Sequence, residues 1–276
     1  MRRSNLSMYF ETRTRLRSAR NDIGGEGRMA QASATISAVE SKPAGLYWKF
    51  LNDKKITPVV RVLGILALIN IAIGLYMALF YAPMERTMGD AQRIFYFHVP
   101  SAWIGFLAFF VVFVASIMFL WKRERKWDAL ALSAAEIGVV FITLVLLTGP
   151  LWARKAWGVF WVWDARLTTS LILWMIYIGY LMLRSSAETE RRARFAAVLA
   201  IIGFIDVPII FVSVQIWRTM HPELLIGSEG GLTREMTQTL MVCLLSFTWL
   251  FAHLLLQRLR LEQARDQVNV LRETME

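Results

Sequence analysis

Residues 157–168 read Trp-Gly-Val-Phe-Trp-Val-Trp-Asp-Ala-Arg-Leu-Thr and lie in a short gap between two strongly apolar stretches. We call this segment the aromatic run. Its aromatic and charged side chains are Trp157, Phe160, Trp161, Trp163, Asp164 and Arg166. Trp and Tyr gather at the water–lipid boundary of many membrane proteins, which is the simpler interpretation. Such belts are spread over many helix ends, however, so the concentration in one loop predicts a surface for a large, flat, amphipathic ligand.

The sequence around the aromatic run predicts an all-α membrane protein. Of its 276 residues, 56% are hydrophobic, which is above the norm for soluble globular proteins. A helix needs about 20 apolar residues to cross about 30 Å of hydrocarbon. Six stretches are long enough: 61–82, 101–121, 128–150, 167–183, 195–217 and 235–256. We therefore predict six transmembrane helices, of which the fourth has the shortest apolar core and must borrow residues from the aromatic run.

The distribution of Lys and Arg predicts the orientation. Six helices leave both termini on one side, and the segments on that side contain 24 of the 31 Lys and Arg residues. Because cytoplasmic loops are enriched in Lys and Arg, we predict that both termini are cytoplasmic. The opposite face carries only Arg86, Arg93, Arg154, Lys155, Arg166, Arg218 and Arg234. The net charge of +10 then follows from topology and anionic lipid rather than from nucleic-acid binding.

Three regions follow from this topology. Residues 1–45 are predicted to be a disordered, basic cytoplasmic tail without a cleavable signal peptide, and Met29 is an alternative to Met1 as the translation start. Residues 46–256 form the membrane domain, with a ligand-binding loop at 151–168. Residues 257–276 have helical composition and are predicted to be a cytoplasmic tail. We favour a solvated extension of the sixth helix over a partner-binding helix for this tail.

The histidines are few, so their positions are informative. His98 precedes Pro100 at the start of the second predicted helix, and His221 precedes Pro222 just beyond the fifth. Both are predicted on the face that carries the aromatic run, each at a helix–loop junction because of the neighbouring proline. Two imidazoles beside an aromatic platform are what a bis-histidine haem site requires.

The third histidine and the single cysteine are assigned to packing. His253 lies 18 residues after Glu235 in the last helix, which places it roughly 27 Å from the His98 face at about 1.5 Å per residue. It cannot share a ligand with His98. Cys243 is the only cysteine, which excludes an internal disulfide and a CxxC pair, and the CxxCH haem-attachment signature is absent.

The aromatic run resembles the tryptophan-rich WWD signature of the haem-handling membrane proteins of cytochrome c maturation, and the CcmC family within them. The fixed positions of that signature are met by Trp157, Gly158, Trp161, Trp163, Asp164, Arg166, Leu167 and Thr168. Phe160 stands where relatives often carry another Trp and keeps an aromatic ring. The resemblance extends from about Lys49 to about Leu256 and includes Phe-Tyr-Phe-His-Val-Pro-Ser-Ala-Trp around His98.

The resemblance implies a function and a set of partners. CcmC-like proteins of the bacterial inner membrane bind haem on the periplasmic side and load it onto the chaperone CcmE, with CcmD and the CcmA–CcmB ATPase complex as partners. Two histidines on the outer face are understood to be the axial ligands, and they correspond to His98 and His221. The expected cofactor is therefore a non-covalent, bis-histidine haem b. Catalysis of the covalent haem–chaperone bond is not readable from the sequence, and no Walker A motif is present.

Other residues on the same face are alternatives or additions to this ligand set. Met84, Met88 and Met220 are lower-ranked candidates for the iron. Arg86, Arg93, Arg154 and Arg166 could pair with haem propionates, because a guanidinium matches a carboxylate bidentately. Arg166 is the best candidate, although its partner could be Asp164. Asp164 in turn could hold the loop in shape or bind a ligand.

Two further function classes remain open. A b-type electron-transfer cytochrome would bury haem between mid-helix histidines, a pattern that this sequence lacks. A transporter could use Glu136 and Asp206, which are predicted near mid-membrane, where ionised groups are costly and usually functional. These carboxylates could instead be protonated and form hydrogen bonds between helices. A transporter also predicts internal repeats and broken helices, and we find no convincing repeat.

Overall fold

The structure is a computed structural model and describes residues 56–185, 190–217, 221 and 231–275. The tail predicted at 1–45 lies outside these residues, as do Arg218, Met220 and Pro222. The described helices are α1 (Ile56–Tyr76), α2 (Phe95–Lys122), α3 (Arg125–Trp157), α4 (Ala165–Ser185), α5 (Glu190–Phe204), α6 (Asp206–Ile216) and α7 (Arg234–Met275). A π-helical turn (Met77–Tyr81) continues α1, and a 3-10 helix (Asp90–Ile94) leads into α2. There is no strand in these ranges.

Six helical segments are long and apolar enough to cross a membrane, which confirms the predicted fold class. They are Ile56–Tyr81, Asp90–Lys122, Arg125–Trp157, Ala165–Ser185, Glu190–Ile216 and Arg234–Asn269. Most extend beyond the predicted apolar stretches, because the helices continue into polar residues at the membrane boundary. The fourth begins at Ala165, so it takes in the end of the aromatic run but none of its aromatic residues.

The fifth span is broken at Ile205, between α5 and α6. Pro208 explains the break, because proline has no amide hydrogen and its ring collides with the carbonyl of the residue four positions earlier, here Phe204. Asp206 begins α6, and its Oδ2 atom is buried without a hydrogen-bond partner among the described residues. A broken helix is one feature that the transporter hypothesis predicts.

Close packing of α2 against α3 forms the centre of the bundle. Gly105 and Gly138 permit it, since a Cβ atom on Gly105 would come within 2.4 Å of Ile142 and one on Gly138 within 2.6 Å of Phe109. Small residues allow membrane helices to approach each other in this way. On its other side Phe109 stacks on Tyr177 of α4, with ring centroids 3.7 Å apart. This core fixes the ends of α2, α3 and α4 relative to each other.

The end of the bundle opposite the aromatic run is held by a network of ion pairs, and we call it the ion-pair end. Arg125 pairs with Asp128, with Glu262 at 2.8 Å and with Asp266 at 3.0 Å. The other pairs are Arg184 with Asp128 at 2.8 Å and Arg258 with Glu262 at 2.9 Å and Glu136 at 2.7 Å. The network joins α3, α4 and α7.

This network bears on two expectations from the sequence. For Glu136 the sequence left open a transport role or a protonated side chain that forms hydrogen bonds between helices, and its carboxylate accepts hydrogen bonds from two nitrogens of Arg258 on α7, so the interhelical hydrogen bond is present. The segment after Gln257 was expected to be a solvated helix. It does continue α7, but Leu259 and Glu262 are buried. The sequence could not show this, because the partners on α3 lie more than a hundred residues away.

Candidate functional site

The aromatic run joins α3 to α4 at the end of the bundle that we call the loop end. α3 ends at Trp157, and Gly158 follows with a φ of +79°, in the left-handed region that favours glycine. Asp164 then caps α4: its Oδ1 atom accepts a hydrogen bond from the Leu167 amide at 2.8 Å, and its carbonyl accepts one from the Thr168 amide. Gly158 and Asp164 therefore set the shape of the segment between the helices.

Two aromatic side chains of this run are exposed, while Trp157 and Trp161 are partly buried. Phe160 is 56% and Trp163 77% exposed, and Trp163 meets Trp161 edge-on with ring centroids 5.6 Å apart. Arg154 lies over the ring of Phe160 and donates a hydrogen bond to the carbonyl of Gly158. It thus supports the loop from within α3.

Trp152 supports the aromatic run and was not predicted from the sequence. Its ring packs edge-on against Trp157 with centroids 5.3 Å apart. The only available signal was another Trp five residues before the run.

Two buried polar atoms of the run have no hydrogen-bond partner among the described residues. They are the indole Nε1 of Trp161 and the carboxylate Oδ2 of Asp164. Buried polar groups in folded proteins are nearly always hydrogen-bonded, and an unsatisfied one costs roughly 1–3 kcal/mol. Asp164 acts electrostatically on Arg166, but the described residues show no direct ion pair between them, so their pairing stays a prediction. A site with an unused indole donor and an unused carboxylate acceptor is suited to a polar ligand group.

His98 lies in the first turn of α2 and faces α3. Its Nδ1 atom is 2.9 Å from Oγ1 of Thr148, and the Thr148 hydroxyl donates its hydrogen to the carbonyl of Leu144 at 2.7 Å. The hydroxyl oxygen must therefore accept from His98, so the proton of the neutral imidazole is on Nδ1 and its lone pair is on Nε2. Metal-binding histidines typically have one ring nitrogen held by a hydrogen bond in this way.

The residues around His98 correct its predicted setting. We expected a helix–loop junction, but α2 begins at Phe95, and Pro100 lies within it. Pro100 is the sixth residue of this helix, so it has no amide hydrogen to donate to the carbonyl of Tyr96 four positions earlier. Gly149 on α3 leaves room for the ring, since a Cβ atom there would lie 3.3 Å from Cε1 of His98. Thr148 and Gly149 were missed, because a Thr-Gly pair in an apolar helix carries no recognisable signal.

The loop end brings His98 together with two other candidates. His221 and Arg166 both interact electrostatically with His98. His221 follows α6 and is not in a helix, as its position before Pro222 predicted. His98, His221 and the aromatic run therefore lie at one end of the bundle. His253 lies elsewhere, at the α1–α7 contact, where its Nδ1 is 2.9 Å from the carbonyl of Val60. Its predicted packing role is confirmed.

The remaining arginine candidates of this face have other roles or no contact with the site. Arg93 pairs with Asp90 at 3.0 Å and donates to the carbonyl of Ala78, so it joins the turns that precede α2. Arg86 is exposed in the neighbouring turn.

The turn that carries Arg86 is closed by Glu85. Its carboxylate accepts hydrogen bonds from the amides of Thr87 and Met88, and the bond from Met88 holds the pKa of Glu85 below its usual range. This carboxylate is therefore engaged within its own turn.

The loop end carries side chains of the kinds that could hold a metalloporphyrin. It combines an imidazole with a free Nε2 atom, a second imidazole, exposed aromatic rings, a guanidinium and an unpaired indole N–H. An imidazole suits the iron, aromatic rings suit the macrocycle, and guanidinium and indole N–H groups suit the propionates. No single one of these features is diagnostic, but their convergence at one end of the bundle is specific.

This chain is similar in sequence to known proteins over most of its length. A family model described as heme exporter protein C matches residues 49–274. The heme exporter protein C of Bradyrhizobium diazoefficiens is 41% identical over 206 residues, which cover 74% of this chain and 78% of the relative. That of Escherichia coli K12 is 35% identical over 227 residues, covering 77% and 90%. A putative cytochrome c biosynthesis ccmC-like mitochondrial protein of Marchantia polymorpha is 38% identical over 159 residues, covering 58% and 68%.

Proposed function

This chain belongs to the heme exporter protein C family, and from that premise we propose that it binds haem at its loop end and delivers it to the chaperone CcmE. Its family gives it a role in haem handling for cytochrome c maturation, and its six spans make it a multi-pass membrane protein. The further parts of the proposal concern the membrane face of the site, the iron ligands and the protein that receives the haem. We propose that the loop end is periplasmic and that the membrane is the bacterial inner membrane, since Lys and Arg are concentrated at the opposite end.

The setting of His98 is the observation that carries this proposal. Thr148 occupies Nδ1 and leaves Nε2 free, while His221 and Arg166 lie close enough to interact with the ring. We propose that His98 and His221 are the two axial ligands of a non-covalent haem b. The hydrogen bond to Thr148 orients the imidazole before the haem arrives, so less orientational freedom is lost on binding.

The aromatic run holds the rest of the ligand in this proposal. Phe160, Trp161 and Trp163 contact the macrocycle, with Trp157 supporting them from the end of α3. Arg166 and the indole N–H of Trp161 face the propionates, which would satisfy the buried indole N–H. Asp164 keeps the run in shape by capping α4, and its unpaired Oδ2 atom is available to a donor on the haem-receiving partner.

Transfer of haem to CcmE requires that its binding to this chain be reversible. Two neutral imidazoles bound to iron can be exchanged one at a time for ligands on CcmE, whereas a covalent thioether attachment could not. The chain has one cysteine, Cys243, which is buried in α7 in a cluster with Ala78, Tyr96 and Leu240. We propose CcmD and the CcmA–CcmB complex as the other partners, with any ATP hydrolysis assigned to that complex.

The experiment is co-purification with CcmE, read by absorption spectroscopy. Wild-type chain should carry haem with a bis-imidazole spectrum and pass it to CcmE. Substituting Ala for both His98 and His221 should abolish haem retention and loading. His253→Ala is the matched control, since it removes an imidazole far from the loop end and should leave both unchanged. Full loading of CcmE by the double variant would refute the ligand assignment, and stable redox-cycling haem that never moves would favour an electron-transfer cytochrome.

A further inference from the structure

We propose that a groove between α1 and α7, at the ion-pair end, binds an anionic phospholipid through Arg61 and Arg260. The groove is a cavity of about 710 Å³, within the range of roughly 300–1,000 Å³ found for small-molecule sites. It lies at the end of the bundle opposite the proposed haem site and does not depend on that site.

The lining of the groove changes from polar to apolar along the helix axis. Thr57, Arg61 and Arg260 line its outer part, and Ile65, Leu68 and Leu250 line the part nearer the middle of the bundle. Arg61 and Leu68 are seven residues apart, which is about 10 Å along a helix. This order matches a lipid with its headgroup at the membrane boundary and its acyl chain running inward.

The groove is open to the surrounding membrane rather than enclosed. Ile65 is 50% and Leu68 70% exposed. A free anion such as inorganic phosphate could use the arginines but would gain nothing from this apolar wall. A phospholipid uses both parts, and it can enter sideways from the bilayer.

The charge of the groove selects an anionic headgroup. At the same end of the bundle, Arg125, Arg184 and Arg258 are each paired with carboxylates of this chain. Among the described residues, by contrast, Arg61 has no ion-pair partner, and Arg260 donates only to the hydroxyl of Thr57 at 3.3 Å. None of the described residues that line the groove is a carboxylate. Basic pockets of this kind between membrane helices are suited to acidic headgroups.

The walls of the groove are held in place by a specific contact. His253 of α7 is hydrogen-bonded to the carbonyl of Val60, and its ring lies against Gly64 of α1. A Cβ atom on Gly64 would come within 2.8 Å of the imidazole, so only glycine permits this approach. α1 and α7 are thus fixed to each other at the depth where the polar part of the groove gives way to the apolar part.

The test is native mass spectrometry of the full chain with phosphatidylglycerol or phosphatidylethanolamine of identical acyl chains. Wild type should retain phosphatidylglycerol preferentially. The double variant Arg61→Gln, Arg260→Gln should lose this preference, by roughly five-fold for each arginine removed. The matched control is Arg191→Gln with Arg265→Gln, which removes the same charge from the same end but outside the groove. Leu68→Trp should also weaken retention by filling the apolar part.

Three outcomes would overturn the proposal. Equal loss of phosphatidylglycerol in both double variants would show that only the overall charge matters. Equal retention of the two lipids by the wild type would show that the groove does not select an anion. Recovery of a transmembrane peptide in the groove in place of lipid would show that a protein partner occupies it.

Discussion

The two ends of the helical bundle differ in how their buried carboxylates are satisfied, although at the ion-pair end the Nε atom of Arg184 is also without a partner among the described residues. At the ion-pair end, the buried carboxylates of Asp128 and Glu262 each accept hydrogen bonds from two guanidinium groups. At the loop end, Trp161 and Asp164 each bury a polar atom without a partner among the described residues. The first arrangement favours the folded state as it stands, because removing any member leaves a buried charge unpaired. The second leaves binding capacity unused, which a ligand can satisfy.

This contrast assigns stabilisation of the fold to one end of the molecule and the proposed haem binding to the other. Removing a charged partner at the ion-pair end should lower the free energy of unfolding. The haem affinity of the molecules that remain folded should not change. Substitutions at the loop end should lower the haem affinity and change the free energy of unfolding less. Predictions that compare the two ends therefore measure two quantities for every variant: the free energy of unfolding and the affinity for haem.

The largest effect is expected from Arg125→Met. This substitution removes the guanidinium shared by Asp128, Glu262 and Asp266, and breaking a buried ion pair on one side costs about 3–5 kcal/mol. Unfolding in mixed micelles with increasing SDS should show that loss. Arg265→Met, on the exposed side of α7, is the control and should change stability by less than about 1 kcal/mol. A variant at position 125 that unfolds like the wild type would show that the network contributes nothing to stability.

A second prediction concerns Thr148→Val, which keeps the shape of the side chain but removes the acceptor for Nδ1 of His98. Loss of a hydrogen-bonding partner of a metal-ligating histidine typically lowers affinity by about 10–100-fold. Haem titration followed by absorption should show this loss, alongside a loss of stability of roughly 1–3 kcal/mol because the Nδ1–H of His98 is left without its acceptor. Thr143→Val is the control, because Thr143 lies on the same helix and bonds Trp174 instead. Equal haem affinity in the two variants would remove Thr148 from the site.

The third comparison is between Asp164→Ala and Asp164→Asn. Alanine removes the cap of α4 and should cost about 1 kcal/mol of stability, whereas asparagine can still accept from the Leu167 amide. If Oδ2 serves a donor on a partner, asparagine should retain stability and haem binding but lower the transfer of haem to CcmE. The measurements are the unfolding curve, the haem titration and the CcmE loading assay. Identical behaviour of both variants in all three would reduce Asp164 to a structural cap.

Much of the fold was predictable because few backbone conformations can cross a membrane. Each apolar stretch has to become a helix, so counting apolar residues located all six spans. The aromatic run was predictable for a related reason: four large aromatic side chains beside an Asp and an Arg are rare in a short loop. Its glycine and aspartate proved to have local roles, as a left-handed residue after α3 and as a cap. Such short-range geometry is encoded within a few residues of the chain.

The partners across helices could not be predicted. Glu136 and Arg258 are separated by 122 residues, and nothing in either local sequence identifies the other. The sequence therefore allowed a hydrogen bond between helices at Glu136 but could not name its partner, an arginine with which it forms an ion pair. Thr148 was missed for the same reason, since its role depends on which face of α3 meets the first turn of α2. The break in the fifth span, in contrast, carried a readable signal in Pro208.

The smallest effect on stability, and the sharpest test of the contrast between the ends, is expected from Trp161→Phe. Phenylalanine keeps an aromatic face but removes the buried Nε1–H that has no partner. Because an unsatisfied donor is unfavourable, the free energy of unfolding without haem should stay within about 1 kcal/mol of wild type or rise. Haem retention should fall, since the propionate contact is lost.

Trp121→Phe is the matched control for this prediction. Trp121 is 77% exposed at the far end of α2, and its replacement should alter neither quantity. A protein that became less stable and kept its haem affinity after Trp161→Phe would contradict the assignment of the unpaired indole to ligand binding. In that case the indole N–H would contribute to folding like the side chains of the ion-pair end, and the two ends would not differ in the way described.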